Sequence, residues 1–395
     1  MSNRLTVLLL AMMLGIQPIT SDLYLPALPA ITQEFGATMA HAQLTLSAML
    51  LAFGVSQMFW GPLSDLWGRR PVLLWSLSAY TVAGVLCVLA PSIDTLIVWR
   101  TVQGAAMGAV VMCGRAIVRD LYTPNTGARV MSKALTGLGF IACVSAPLGA
   151  WLTEAISWHM ALAVLIGFGL LSLICVLIFF KESIRRKNPY ALQWRIMRKT
   201  WWRILRNPTF VAFTCLSVGS FGGLFTFLVT SSFVFIKLIG LSRMEYGLVM
   251  GSMSLAYIVG TLVCRRLLPR FGVSGTVAIG GGLSLAGGLL MAASAWLGWH
   301  SVLGLVGPFY LFVIAHGIHQ PCGQSGAVGP FPKAAGAASA LGGFLMMAIA
   351  FAMGLWLGAY ADGTVFPMAH GIAFWAVCTA LSAWLLVRRY GGPRV

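Results

Sequence analysis

The sequence predicts an all-α integral membrane protein, with twelve transmembrane helices arranged as two six-helix bundles. Three observations predict it. Of the 395 residues 59% are hydrophobic and only 9% are charged, with a mean hydropathy of +0.88, whereas a soluble domain carries roughly 25% charged residues. Apolar runs of about 20 residues, long enough to cross a bilayer, recur along the whole chain. The basic residues, finally, cluster on alternate connections between those runs.

The twelve runs lie near 5–27, 42–62, 72–90, 95–117, 134–153, 159–180, 209–231, 244–263, 273–295, 301–324, 336–358 and 366–387. They leave no room for a separate soluble domain. In the first, Arg4 precedes the apolar stretch and Ala27-Leu28-Pro29-Ala30 loosely resembles a leader-cleavage site. Its length, Pro26 and Pro29, and the eleven runs that follow instead predict a retained span. The second is interrupted by Gln57 and runs into the charged string Gly61–Arg70 before the third begins. The fourth carries Arg100 early, and the fifth is rich in small residues around Pro147. After the sixth comes the longest polar stretch, Lys181–Asn207, in which Trp194, Ile196, Trp201, Trp202 and Leu205 interleave with Arg195, Arg198, Lys199, Arg203 and Arg206. That mixture predicts a basic amphipathic helix on the inner membrane surface. The expected organisation is therefore a bundle over 1–180, a basic cytoplasmic linker over 181–207 and a second bundle over 208–395.

Charge placement sets the expected orientation. With the amino terminus inside, every Lys and Arg except Arg100, Lys237 and Arg243 falls in or beside a cytoplasmic segment. The outward loops at 28–41, 91–94, 154–158, 296–300 and 359–365 contain none. This positive-inside pattern predicts cytoplasmic termini at both ends. The net charge of +17 is then topology facing a lipid bilayer, with no nucleic-acid partner expected. The eight cysteines lie within or at the edges of spans at no metal-ligand spacing, so they read as packing residues.

Of the nine acidic residues, Asp22 alone resists placement at a loop or span end. A carboxylate inside the bilayer costs roughly 2.5–3.5 kcal/mol unless it finds a partner, protonates or meets water. Such a group can take up and release a proton. Arg100 is its expected electrostatic partner, since both fall in the outer third of the membrane. Tyr24, Gln57, Phe225, His316 and Gln320 are candidate substrate contacts alongside them, because polar groups within spans face the bundle interior. His316 and His319 have the spacing of a metal pair, but nothing completes the set, and no metal is expected.

The string Gly61-Pro62-Leu63-Ser64-Asp65-Leu66-Trp67-Gly68-Arg69-Arg70 resembles the loop signature of the major facilitator superfamily. Leu66 departs from it, standing where a basic residue is usual. Asp22-Leu23-Tyr24-Leu25-Pro26 and the residues after it resemble the first-helix motif of twelve-span drug:proton antiporters, most similarly the bicyclomycin, chloramphenicol and florfenicol resistance branch. Arg100…Gln103-Gly104 and Arg115–Asp120 resemble that branch's fourth-helix motifs. In the fifth span Pro147 and Gly149 remain of an antiporter motif in which alanines replace other glycines.

The resemblance implies two rocking bundles, proton entry driving export of chloramphenicol- or florfenicol-type drugs, and a bacterial inner-membrane location. It implies Asp22 as the protonation site with Arg100 beside it. It also implies a conformational latch of Gly61, Asp65, Gly68, Arg69, Arg70, Arg119 and Asp120. A weak turn of similar form at Leu262–Gly272 makes the second bundle an echo of the first, as in transporters built from parallel repeats with a site near the midplane. No nucleophile motif, zincin motif or phosphate-binding loop is present, so an enzyme is not expected. The proton gradient is the expected energy source, with no cofactor, and the expected working unit is a monomer. A proton-coupled transporter of a metabolite such as a sugar, organic acid or amino-acid derivative shares the same pattern and stays open.

Overall fold

The computed structural model describes residues 3–122, 124–184, 187, 192–331, 334–360 and 362–391. Among these there is no strand. The helices are α1 (Asn3–Asp22), α2 (Leu28–Glu34), α3 (Met39–Trp67), α4 (Arg69–Val88), α5 (Ile93–Leu121), α6 (Pro124–Ala155) and α7 (Trp158–Phe179). They continue with α8 (Trp194–Leu205), α9 (Pro208–Ser232), α10 (Arg243–Trp296), α11 (Val302–Val328), α12 (Ala335–Ala359), α13 (Phe366–Leu381) and the short α14 (Arg388–Tyr390).

Eleven helical segments are long and apolar enough to cross a membrane, and one of them, Arg243–Trp296, has 54 residues. At 1.5 Å per residue that is far more than a bilayer needs. It is two spans joined at Gly272, whose φ of 64° and ψ of −176° leave the helical region. The twelve spans expected from hydropathy are thus present, and the exposed sides of many carry large apolar residues such as Trp75, Phe140 and Leu303.

Two local expectations need correction. Residues 28–41 are not all loop. Pro26 stands at the start of a 3-10 turn, Leu25–Ala27, and Pro29 at the start of α2. Proline's fixed φ and missing N–H suit the first turn of a helix, so the chain restarts helically after α1 ends. The string Gly61–Arg70 is likewise not a turn throughout. Helix α3 runs to Trp67 and the reversal is made by Gly68 alone, at φ 109°. Gly61 is a packing position inside α3, where a Cβ would lie 3.2 Å from Met112 Cε.

The chain divides into two compact units, Met1–Met197 and Arg198–Val395, the division falling within α8. In the first unit α3 and α4 pack on α5, α1 packs on α6, and α4 packs on α7. In the second, α10 packs most extensively on α11 and also on α13, while α9 touches α11, α12 and α13. Helix α10 opens with a capping box. The Ser242 hydroxyl accepts from Glu245 N at 3.1 Å, and Glu245 Oε2 accepts from Ser242 N at 2.8 Å.

Candidate functional site

The first candidate site is built where α1 stops. Asp22 is the last residue of α1, half-buried, and its Oδ1 accepts from the Ser21 hydroxyl at 2.7 Å. Tyr24 follows, fully buried, donating to Thr45 Oγ1 of α3 at 2.7 Å. Arg100 of α5 is also fully buried and lies over the Tyr24 ring, Cζ 4.2 Å from its centroid. Its Nη1 donates to Gln103 Oε1 at 2.8 Å and its Nη2 to the Thr20 carbonyl at 3.1 Å. The Thr20 hydroxyl in turn lies 2.6 Å from the Tyr80 hydroxyl of α4.

The expected Asp22–Arg100 ion pair is not formed in this conformation. Among the described residues no carboxylate lies within ion-pairing distance of Arg100. The physical reason is the helix end itself. The last four carbonyls of α1 have no partner within the helix, and a cation is favoured at that negative pole. Arg100 therefore caps α1 through Thr20 and stacks on Tyr24, a cation–π contact. Its Nε and the Nε2 of Gln103 are buried with no hydrogen-bond partner among the described residues.

The wall behind this site is set by α6. A Cβ on Gly149 would collide with the carbonyl oxygen of Leu23, so only glycine lets α6 approach the break after α1 this closely. Pro147 lies inside α6 one half-turn earlier. Gln57 of α3 is buried, donates to Phe53 O at 3.3 Å, and leaves its Oε1 without a partner among the described residues.

The second candidate site is a charge cluster at the α3–α4 turn. Arg69, 2% exposed, pairs through Nη2 with Asp65 Oδ1 at 2.6 Å and through Nε with Asp120 Oδ2 of α5 at 2.9 Å. Its Nη1 also donates to the Ser64 hydroxyl. Arg70 donates from Nη2 to Leu177 O at 3.1 Å. The side chain of Arg119 lies outside the described residues. Sequence reasoning missed Glu182. Its Oε1 accepts from the backbone N–H of Arg69 at 2.9 Å and its Oε2 from that of Arg70 at 3.1 Å, so it caps α4 from the segment after α7. Ser183 beside it donates to Asp120 at 3.2 Å. The available signal was a lone acid at the head of a basic stretch.

The polar residues expected in the second unit gather between α9 and α11. His316 Nδ1 lies 2.8 Å from the Ser220 hydroxyl, with Tyr257 and Phe221 rings at 5.7 and 6.5 Å. Gln320 donates to Ser217 O at 3.3 Å. Phe225 is buried and stacked at 6.3 Å from Phe221. His319 turns instead to α10, bonding Val277 O at 3.3 Å through Nε2. The two histidines thus serve different helices, and among the described residues no group of three or more ligating side chains could hold a metal.

A polytopic bundle of twelve spans in two units, with ionisable groups buried at helix breaks, defines a membrane transporter for small molecules. The sequence comparison gives the family. Residues 10–355 match the Major Facilitator Superfamily, and the chain belongs to it. It is 28% identical over 349 residues to a chloramphenicol resistance protein of Pseudomonas aeruginosa, covering 87% of this chain and 82% of that one. It is 24% identical to a bicyclomycin resistance protein homolog of Haemophilus influenzae, covering 98% and 97%. Among solved structures the D-xylose-proton symporter superposes with a TM-score of 0.76 over 97% of both chains at 15% identity, a likeness of fold.

Proposed function

We propose that this transporter is a proton-driven exporter of small hydrophobic or amphipathic drugs of the chloramphenicol and florfenicol type. The observation that carries the reading is the break after α1. A half-buried carboxylate, Asp22, ends the helix whose last turn is capped by a fully buried arginine with no counter-carboxylate among the described residues. The names of the relatives support the substrate class.

In this reading a proton from outside binds the Asp22 carboxylate, and the neutral acid leaves Arg100 to its helix-capping role. Loss of that proton to the cytoplasm restores a negative charge, which draws Arg100 from Thr20. Exchanging one set of partners for the other couples proton movement to the conformational cycle, with no cofactor. Tyr24 and Gln57 of the first unit, and Phe225, His316 and Gln320 of the second, are the candidate drug contacts. Mostly apolar walls with a few polar groups suit such ligands. The Asp65–Arg69–Asp120 cluster acts as a latch that makes and breaks between states.

The protein is a monomer of the bacterial inner membrane with both termini in the cytoplasm. Helix α8 lies in the inner-leaflet headgroup region. Its Met197 and Ile204 are buried, its Trp194 and Trp202 are exposed, and Arg195, Lys199 and Arg203 fall on the remaining arc.

The test is drug accumulation in energised cells expressing wild type or Asp22→Asn, with and without a protonophore. The wild type is expected to lower chloramphenicol and florfenicol accumulation, and both the substitution and the uncoupler should abolish this. Unchanged accumulation with protein present in the membrane would discard phenicols in favour of a metabolite. Normal export by Asp22→Asn would remove the proton site from Asp22.

A further inference from the structure

Two thiols that the transport reading does not use meet across the most extensive helix contact in the second unit. Cys264 of α10 and Cys322 of α11 have their sulfurs 3.7 Å apart, and both are buried, at 2% and 3% exposure. The Cys264 thiol also reaches the Ile318 carbonyl at 3.9 Å. The carbonyl can only accept, so Cys264 donates to it, and Cys322 donates to the sulfur of Cys264.

The backbone holds this pair in place. One turn before Cys264, a Cβ on Gly260 would collide with the Ile314 carbonyl oxygen. On the facing helix a Cβ on Gly317 would lie 2.5 Å from the Tyr257 carbonyl oxygen. The two helices therefore cross backbone to backbone beside the thiols, an arrangement open only to glycine at both places. The crossing fixes the two backbones that carry the thiols, and the sulfurs stand beside it unbonded.

The sulfur separation selects what could occupy the gap. A direct bond needs about 2.05 Å between sulfurs, well short of the 3.7 Å observed. An atom bound to both sulfurs at about 2.3 Å each, the length of a zinc–thiolate bond, would subtend about 107° across a separation of 3.7 Å. That is close to a tetrahedral angle. A four-coordinate metal would need two further donors, and the described residues supply no third ligand in reach. A soft trivalent centre that carries its own organic group needs only the two sulfurs.

We infer that Cys264 and Cys322 form a preorganised dithiol that captures membrane-permeant trivalent organoarsenicals, a covalent modification site on α10 and α11 separate from the Asp22 and Arg69 clusters. The reaction balances without a redox partner. An organoarsenic(III) oxide forms two As–S bonds, the two S–H bonds break, and both protons leave with the oxide oxygen as one water. Arsenic stays trivalent, and the product is uncharged, so its burial carries no ionic cost. Charge neutrality and small size also let the reagent enter through the bilayer to a site closed to water.

The experiment uses the full-length protein in lipid nanodiscs with phenylarsine oxide as probe, followed by maleimide alkylation and mass mapping of all eight cysteines. One adduct per chain is expected, protecting Cys264 and Cys322 together and reversed by a small dithiol but not by a monothiol. Cys264→Ala and Cys322→Ala should each lower apparent affinity on the order of 100-fold, because the second As–S bond is intramolecular. Cys264→Ser, with its thermal transition measured, separates loss of sulfur from loss of fold. Cys215→Ala, which removes an exposed thiol, should leave capture unchanged. Absence of an adduct on the native chain, alkylation of both thiols in the presence of the probe, or an apparent affinity unchanged by either single alanine substitution would overturn the assignment.

Discussion

Two sharp reversals in this chain, at Gly68 in the first unit and at Gly272 in the second, use one backbone device with different surroundings. Both glycines have positive φ, 109° and 64°, and both follow a helix that runs past its apolar core. At Gly68 a Cβ would strike Glu182, and Arg69 is locked between Asp65 and Asp120. At Gly272 a Cβ would meet nothing within 4 Å, and the nearby Arg265, Arg266 and Arg270 have no acidic residue close in sequence. The turn itself thus needs only a glycine. The charges at the first turn are an addition to it, and they are the part that the proposed latch would use.

Substitutions at matched positions can break or sharpen that contrast. The largest effect is expected from Arg69→Ala, which leaves carboxylates at Asp65 and Asp120 without their cation. Removing one partner of a buried pair costs 3–5 kcal/mol, and the low end, roughly 3 kcal/mol, is expected because Asp65 is exposed enough to be screened. Arg270→Ala at the second turn should stay within about 0.5 kcal/mol. Thermal unfolding in detergent, paired with drug-efflux rates, reads both. Equal losses at the two turns would deny the first its special role.

Next in size is Gly68→Ala against Gly272→Ala. Each forces a side chain into a backbone region that is essentially glycine's alone, φ 109° and ψ 162° at Gly68, φ 64° and ψ −176° at Gly272, costing roughly 1–3 kcal/mol. Only the first also displaces the Glu182 carboxylate, so its loss should exceed that of Gly272→Ala in the same unfolding assay. Among the substitutions at the first turn the smallest effect is expected for Glu182→Gln, which keeps the capping shape but removes the charge at the amino end of α4. About 0.3–1 kcal/mol is at stake, with Glu182→Ala nearer the ~1 kcal/mol typical of a lost cap. If Glu182→Ala changes neither stability nor the efflux rate, the residue does not belong to the latch.

Much of the fold was legible because a membrane span leaves a plain mark in hydropathy. Its ends were not, since hydropathy reports only the apolar middle of a helix. Helix α3 continues through Ser64, Asp65 and Trp67, and α10 through Arg265, Arg266 and Arg270, where polar residues pair or reach water without ending the helix. The site residues were legible as types, because a charge inside a span is costly enough to stand out. Their partners were less so. Glu182 meets Arg69 across 113 positions, a contact no local pattern announces. Arg100 was matched with Asp22 by charge, whereas it binds the end of the helix that carries Asp22.

That helix end has a consequence for how the protein admits solvent. A break such as the one between Asp22 and Leu25 strands backbone carbonyls where hydrocarbon offers them no donor, and Arg100 supplies one to Thr20. Whenever the arginine swings to another partner, Thr20 is left without it, and a water molecule or another donor has to arrive. In the proton cycle proposed above, wetting of the break and movement of the charge would be one event, which would make the point where α1 stops a valve.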